Sequence, residues 1–140
     1  MRTLLPLAAC VLILISGCGR KGPPLAPRSL PPVSVTDLNV RLESRTAVLV
    51  WSVPTSPDSE APDAYRIYRA RSGPESCEGC PLMFQKIGVI HLSQADRPAR
   101  GPWTLTWRDE IEVGFRYVYK VTSLRGRDRM ADSNLVVIQP

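Results

Sequence analysis

Cysteines are the residues of this 140-residue chain best placed to do chemistry, and their spacing assigns them different roles. Cys77-Glu78-Gly79-Cys80 is a Cys-x-x-Cys pair. Thiol–disulfide exchange at such a pair needs a depressed thiol pKa, commonly supplied by a helix N-terminus. This pair lies instead in a Pro/Ser/Gly-rich stretch ahead of Pro81. Zinc would need two further ligands, and the chain has one histidine, His91. A local disulfide is the expectation for an oxidising compartment, with redox-active, metal-bound or free thiols as the alternatives. Closing so small a loop constrains the unfolded chain by less than the roughly 3 kcal/mol expected for a fifteen-residue loop.

The remaining polar residues form no catalytic pattern. His91 ends an apolar run before a Ser/Gln/Asp-rich loop, where a lone histidine is ordinarily a surface or structural residue. No Gly-x-Ser-x-Gly elbow and no phosphate-cradling glycine loop occurs. The loop carboxylates (Asp58, Glu60 and Asp63; Asp109, Glu110 and Glu112) match no calcium-loop spacing and read as solvated loops. The expectation is a non-enzyme with no cofactor and no metal.

Cys18 carries a different chemistry. Arg2 supplies a positive start, and residues 4–15 (LLPLAACVLILI) are almost unbroken apolar surface. As a helix this run would extend roughly 18 Å, short of the ~30 Å needed to span a bilayer, and of the right length for a signal-peptide core. Ile15-Ser16-Gly17-Cys18 then has the form of a lipoprotein signal. Residues 1–17 are expected to be removed, leaving Cys18 as the lipid-bearing first residue, anchored by palmitate-type acyl chains. Stable anchoring takes more than one chain, and the two or three of a bacterial lipoprotein suffice.

Cys18-Gly19-Arg20-Lys21-Gly22-Pro23-Pro24-Leu25-Ala26-Pro27 resembles the mature start of a family of small Gram-negative lipoproteins, which read Cys-Gly-x-Lys-Gly-Pro-Leu. One member is associated with the outer-membrane lipopolysaccharide translocon. Cys18, Gly19, Lys21, Gly22 and Pro23 match, and Pro24 stands where the family has leucine. The resemblance implies attachment to the outer membrane, facing the periplasm, and makes Lys21, Gly22 and Pro23 candidate interaction residues. From Gly22 to Pro32 (GPPLAPRSLPP) five prolines in eleven residues favour an extended polyproline tether over a packed element.

Residues 33–140 are one domain by length. Short β-like runs alternate with Pro/Gly/Ser/Asp breaks, the pattern of an all-β sandwich. Seven strands are expected: 33–42, 47–51, 65–69, 84–90, 103–108, 115–124 and 135–138. Ala47, Leu49 and Trp51 share one face by the two-residue period, as do Tyr65 and Ile67, and Trp103, Leu105 and Trp107. The stretch from Pro54 to Pro62 is a loop.

Four pieces of this domain resemble the fibronectin type III modules, an immunoglobulin-like family, in their bacterial form. They are Leu49-Val50-Trp51 followed by Pro54, the strand Tyr65-Arg66-Ile67-Tyr68-Arg69, Gly114-x-x-Tyr117-x-Tyr119-x-Val121, and Ser133-Asn134-Leu135-Val136. The resemblance makes Trp51, Tyr65, Tyr117 and Asn134 structural signatures, with the Tyr117 hydroxyl tied to backbone just upstream. It implies a non-catalytic interaction or structural module.

Charge suggests partners. Residues 18–140 hold 17 basic and 13 acidic side chains, a formal +4. Arg125, Arg127 and Arg129 crowd the expected last hairpin loop, while Arg66, Arg69 and Arg71 follow the third strand. If these strands share a sheet, the arginines form one basic face for an anionic lipid or an acidic envelope protein; a solvated face is the plainer reading. No aromatics interleave the arginines, and nucleic acid is not an expected partner of a membrane-tethered protein. An anchored interaction module is therefore expected, with action through the Lys21–Pro23 segment as the alternative.

Overall fold

The computed structural model describes residues 33–54, 61–77 and 79–140. The leader, Cys18 and the tether, with Lys21, Gly22 and Pro23, lie outside the described residues. Among the described residues eight strands follow in order: β1 (Asn39–Glu43), β2 (Thr46–Ser52), β3 (Ala64–Ser72), β4 (Gln85–His91), β5 (Thr104–Glu110), β6 (Arg116–Arg125), β7 (Asp128–Asp132) and β8 (Val136–Ile138). The pairing is antiparallel throughout, in two sheets: β1-β2-β5, and β4-β3-β6 with β7 and β8 both on the far edge of β6.

Alternation decides which sheet face is buried. In β5, Leu105, Trp107 and Asp109 turn inward and are half-buried, while Thr104, Thr106, Arg108 and Glu110 are exposed. In β2, Ala47, Leu49 and Trp51 enter the core. Val48, on the opposite face, is also buried. It lies in register between Arg41 and Arg108, and both pair with Glu43, at 2.9 and 3.0 Å. The Arg108 hydrogen bond, then that of Arg41, holds the Glu43 carboxyl below its ordinary range. Long arginine stems over an apolar residue are the physical means of covering Val48.

Three details depart from the sequence expectation. Residues 33–38 are not a strand, although Val35 and Leu38 are buried in the core as anchors leading into β1. The final edge is in two pieces, because β7 interposes before β8. At the break, the Val121 N–H donates to Ser133 Oγ and the Ser133 N–H donates to the Val121 carbonyl, so a side chain stands in for a ladder partner. The loop expected to hold three arginines is only Gly126-Arg127: Arg125 pairs with Asp128, and Arg129 lies within β7 opposite Leu124. Gly126 has a φ of 58°, the positive value that a two-residue hairpin of this kind requires at its first position.

The core is aromatic. Trp51 and Tyr65 meet edge to face at 5.7 Å, and Tyr117 stacks with Tyr119 at 6.4 Å. Burying each such ring stabilises the fold by about 4–6 kcal/mol as an upper estimate from transferred area. Trp107 fills the open side between β5 and β4 by lying over Gly88. A Cβ built at Gly88 would overlap the six-membered ring of Trp107. Replacing Gly88 with alanine is therefore expected to destabilise the domain by about 1–3 kcal/mol. The thermal midpoint should fall by roughly 5 °C or more; an unchanged midpoint would mean that Trp107 swings aside without cost.

Candidate functional site

Antiparallel strands give the sandwich two distinct ends. The chain enters from the tether at one of them, where the Ser123 hydroxyl donates to the Val33 carbonyl at 2.9 Å. Loop 53–63, loop 92–103 and the Gly126-Arg127 turn share that end. The other end carries the Ser44-Arg45 turn, loop 73–84, loop 111–115 and the last residues of β8. The two are separated along β6 by roughly 20 Å, at about 3.3 Å per residue from Arg116 to Ser123.

Loop 73–84 bears the Cys77–Cys80 disulfide, with a Cα–Cα distance of 5.5 Å. The local hydrogen bonds Ser76 N–H to Gly73 (3.1 Å) and Cys80 N–H to Cys77 (3.4 Å) support it. Both half-cystines are exposed. The loop forms one wall of a cleft of about 930 Å³, whose opposite wall includes Gly114, Arg116 and Gln139. Met83, at the rim, is 79% exposed.

The signature residues are structural. Tyr117 is buried, and its hydroxyl accepts the Glu112 N–H at 2.9 Å, closing the approach to β6. Asn134 bridges two segments that are distant in sequence: its Oδ1 accepts the Leu38 N–H (3.1 Å) and its Nδ2 donates to the Leu38 carbonyl (2.9 Å). Trp51 and Tyr65 are core residues, and neither the Trp51 Nε1 nor the Tyr65 hydroxyl meets a hydrogen-bond partner among the described residues. Burial pushes the Tyr65 phenol well above its ordinary pKa, with Asp37 adding to the shift. Tyr119 rises for the same first reason, then because its hydroxyl donates to Asp109 at 2.7 Å.

The arginines do not make one basic face. Arg69 points inward and crosses between the sheets to Asp109, at 3.0 Å. Arg71 pairs with Glu112 at 2.8 Å and stacks over Phe115, 3.5 Å from the ring centroid. Arg66 pairs in register with Thr122, on the alternate face of β3. Arg125 and Arg127 are exposed at the tether end. The single face does not form because the two-residue period turns Arg69 and Arg71 toward the carboxylates of β5 and loop 111–115. His91 is exposed at the end of β4, and no group of three His, Cys, Asp or Glu side chains among the described residues could hold a metal ion. Asp109, expected with Glu110 and Glu112 to be part of a solvated loop, lies instead in β5 on its half-buried inward face, paired with Arg69; Arg116 was not picked out by sequence. Gly88, alone inside a strand pattern, carried the signal of a close approach.

No family model matches the chain, and no curated protein matches it. Solved structures do. The third fibronectin III domain of human KIAA0343 protein superimposes with a TM-score of 0.51 at 16% identity, over 86% of this chain and 91% of that one. The fold is that of a fibronectin type III domain. A myokine structure aligns at a TM-score of 0.50 and 16% identity, covering 77% of this chain and 96% of that one. The pectate lyase PelI from Erwinia chrysanthemi aligns at 0.48 and 21% identity, over 77% of this chain and 28% of that chain; a likeness at that level carries no argument about activity.

Two predictions follow from the buried tyrosines of this fibronectin type III fold. Tyr117→Phe removes the acceptor for the Glu112 N–H and is expected to cost about 1 kcal/mol in urea unfolding. Tyr65 and Tyr119 remain protonated in the fold where free tyrosine, with its ordinary pKa of 10.0, ionises. Their contribution is thus complete below about pH 10 and lost above it, at about 1.4 kcal/mol per pH unit for each group. Tyr65→Phe and Tyr119→Phe should each flatten the alkaline decline of the urea midpoint; identical declines in all three proteins would refute this.

Proposed function

We propose that the chain is a lipid-anchored lipoprotein of the Gram-negative envelope, held at the outer membrane through Cys18, whose fibronectin type III domain serves as a non-catalytic interaction module. The observation that carries this reading is the polarity of the sandwich. Val33, the first described residue, lies at the Ser123 end, whereas the disulfide-bearing loop and its cleft lie at the Arg116 end. A polyproline tether of fourteen residues reaches about 40 Å. An anchored domain of this design presents its cleft away from the attachment point.

A second reading is favoured by where the charge sits. Residues 33–140 carry fourteen basic and thirteen acidic side chains, a formal +1, whereas residues 18–32 carry Arg20, Lys21 and Arg28 with no acid. Most of the basic excess of the mature chain thus belongs to the segment resembling the translocon-associated lipoproteins. In this reading the protein is an assembly or lipopolysaccharide-transport accessory acting through Lys21, Gly22 and Pro23.

Anchoring is tested by labelled palmitate: incorporation is expected in the wild type and lost in Cys18→Ala, which should leave the membrane fraction. A Cys18→Ala protein that stays membrane-bound would sink the lipoprotein reading. In-cell crosslinking then separates the two functions. Partners that persist when residues 20–27 become a neutral spacer, and vanish when residues 33–140 are deleted, support the module; the reverse pattern supports the accessory.

A further inference from the structure

We infer that the cleft beside the Cys77–Cys80 loop is a docking site for an extended peptide that brings a carboxylate to Arg116 and an apolar side chain to Met83. The inference rests on the module reading and names its site and ligand chemistry.

The argument begins with a row of donors. Ser72 pairs in register with Arg116, and Gln139 follows Ile138, which pairs with Tyr117, the residue after Arg116. Three neighbouring strands thus place a hydroxyl, a guanidinium and a carboxamide along one wall of the cleft, and all three residues line it. Arg116 is exposed, and none of the domain's ion pairs among the described residues involves it. Its neighbour Arg71 is instead engaged by Glu112. A guanidinium fork without a carboxylate, flanked by further donors, matches the two oxygens of a carboxylate.

Apolar surface adjoins this row. Met83 is 79% exposed at the rim, with Leu82 beside it in the lining. One residue before Ile138, on the outer face, Val137 is 49% exposed beside the buried Val118. Methionine adapts its shape to apolar ligands. The volume of about 930 Å³ exceeds what one carboxylate fills, and an extended strand of peptide matches a cleft with polar and apolar zones in line. Glu75, exposed on the disulfide wall, sets the sign of the ligand's charge limit. It disfavours a doubly charged phosphate more than a singly charged carboxylate. The disulfide closes the Cys77–Cys80 turn within that wall.

The test uses the full mature protein in detergent micelles and unlabelled, end-blocked eight-residue peptides, measured by titration calorimetry. A peptide alternating Leu and Glu should bind, and its Leu/Gln counterpart should bind at least about tenfold more weakly. Arg116→Gln should lose about tenfold with an unchanged melting midpoint, whereas Glu75→Gln should tighten binding about threefold by removing a like charge. The Cys77→Ser/Cys80→Ser protein should bind more weakly while retaining the fold. Opposite signs for Arg116→Gln and Glu75→Gln are not expected from a merely structural role. Equal affinity for both peptides, no binding by the wild type, or indifference to both charge variants would overturn the proposal. If that occurs while in-cell crosslinks still depend on residues 33–140, the module reading stands and this cleft is not its site.

Discussion

Trp107 lying across Gly88 is the contact on which the rest of the sandwich depends. Two twisted sheets need their gap filled at the open side, where β5 and β4 are both edge strands with no further strand to pair. An indole over a bare backbone closes that side without a gap, because the missing Cβ of Gly88 leaves room for the ring. With the sheets held at this spacing, Leu49 and Trp51 reach Tyr65 and Ile67, and the Tyr117–Tyr119 stack completes the filling. Interiors packed to crystal density tolerate little adjustment, so the spacing also places polar groups near the ends.

One of these is Asp109. It sits on the inward face of β5, takes the Arg69 guanidinium from the opposite sheet and accepts from the Tyr119 hydroxyl. A carboxylate in that position, half-shielded from water, must be paired to be tolerated, and both partners come from the other layer. Arg71 pairs with Glu112 at the exposed surface, next to the Tyr117 hydroxyl that caps the approach to β6. Arg69, a surface charge in a linear reading, is thereby paired between the sheets, and Arg71 is paired at the surface. Arg116, one strand position before Tyr117, escapes this fate because its side chain turns outward.

The two ends of the sandwich differ in how their loops are held. At the tether end, Asp63 accepts from the Gly126 N–H at 2.6 Å through its side chain and from the Leu92 N–H at 2.8 Å through its carbonyl. These are loops tied to each other. At the opposite end a disulfide holds a loop whose apolar residues remain open. A fibronectin type III fold by itself specifies no partner.

The sequence by itself determined most of the strand-forming segments, though neither the start of β1 nor β7, and with them the aromatic faces and the outline of the sandwich. Period-two alternation is a local property: Leu105, Trp107 and Asp109 face inward because successive side chains point to opposite sides. The Cys-x-x-Cys spacing likewise made a local disulfide legible. Neighbour relations across the sheets were not legible. Whether Arg69 is a surface charge or half of an ion pair depends on Asp109, forty residues away, and nothing local encodes that partner. β7 forms where a loop was expected, ahead of the expected last strand, and Ser133 and Asn134 separate it from β8 by bonding to Val121 and Leu38, the latter 96 positions from Asn134. The tertiary structure alone decided which arginines were consumed and that Arg116 was left facing a cleft, since charge neutralisation is set by distance in space rather than along the chain.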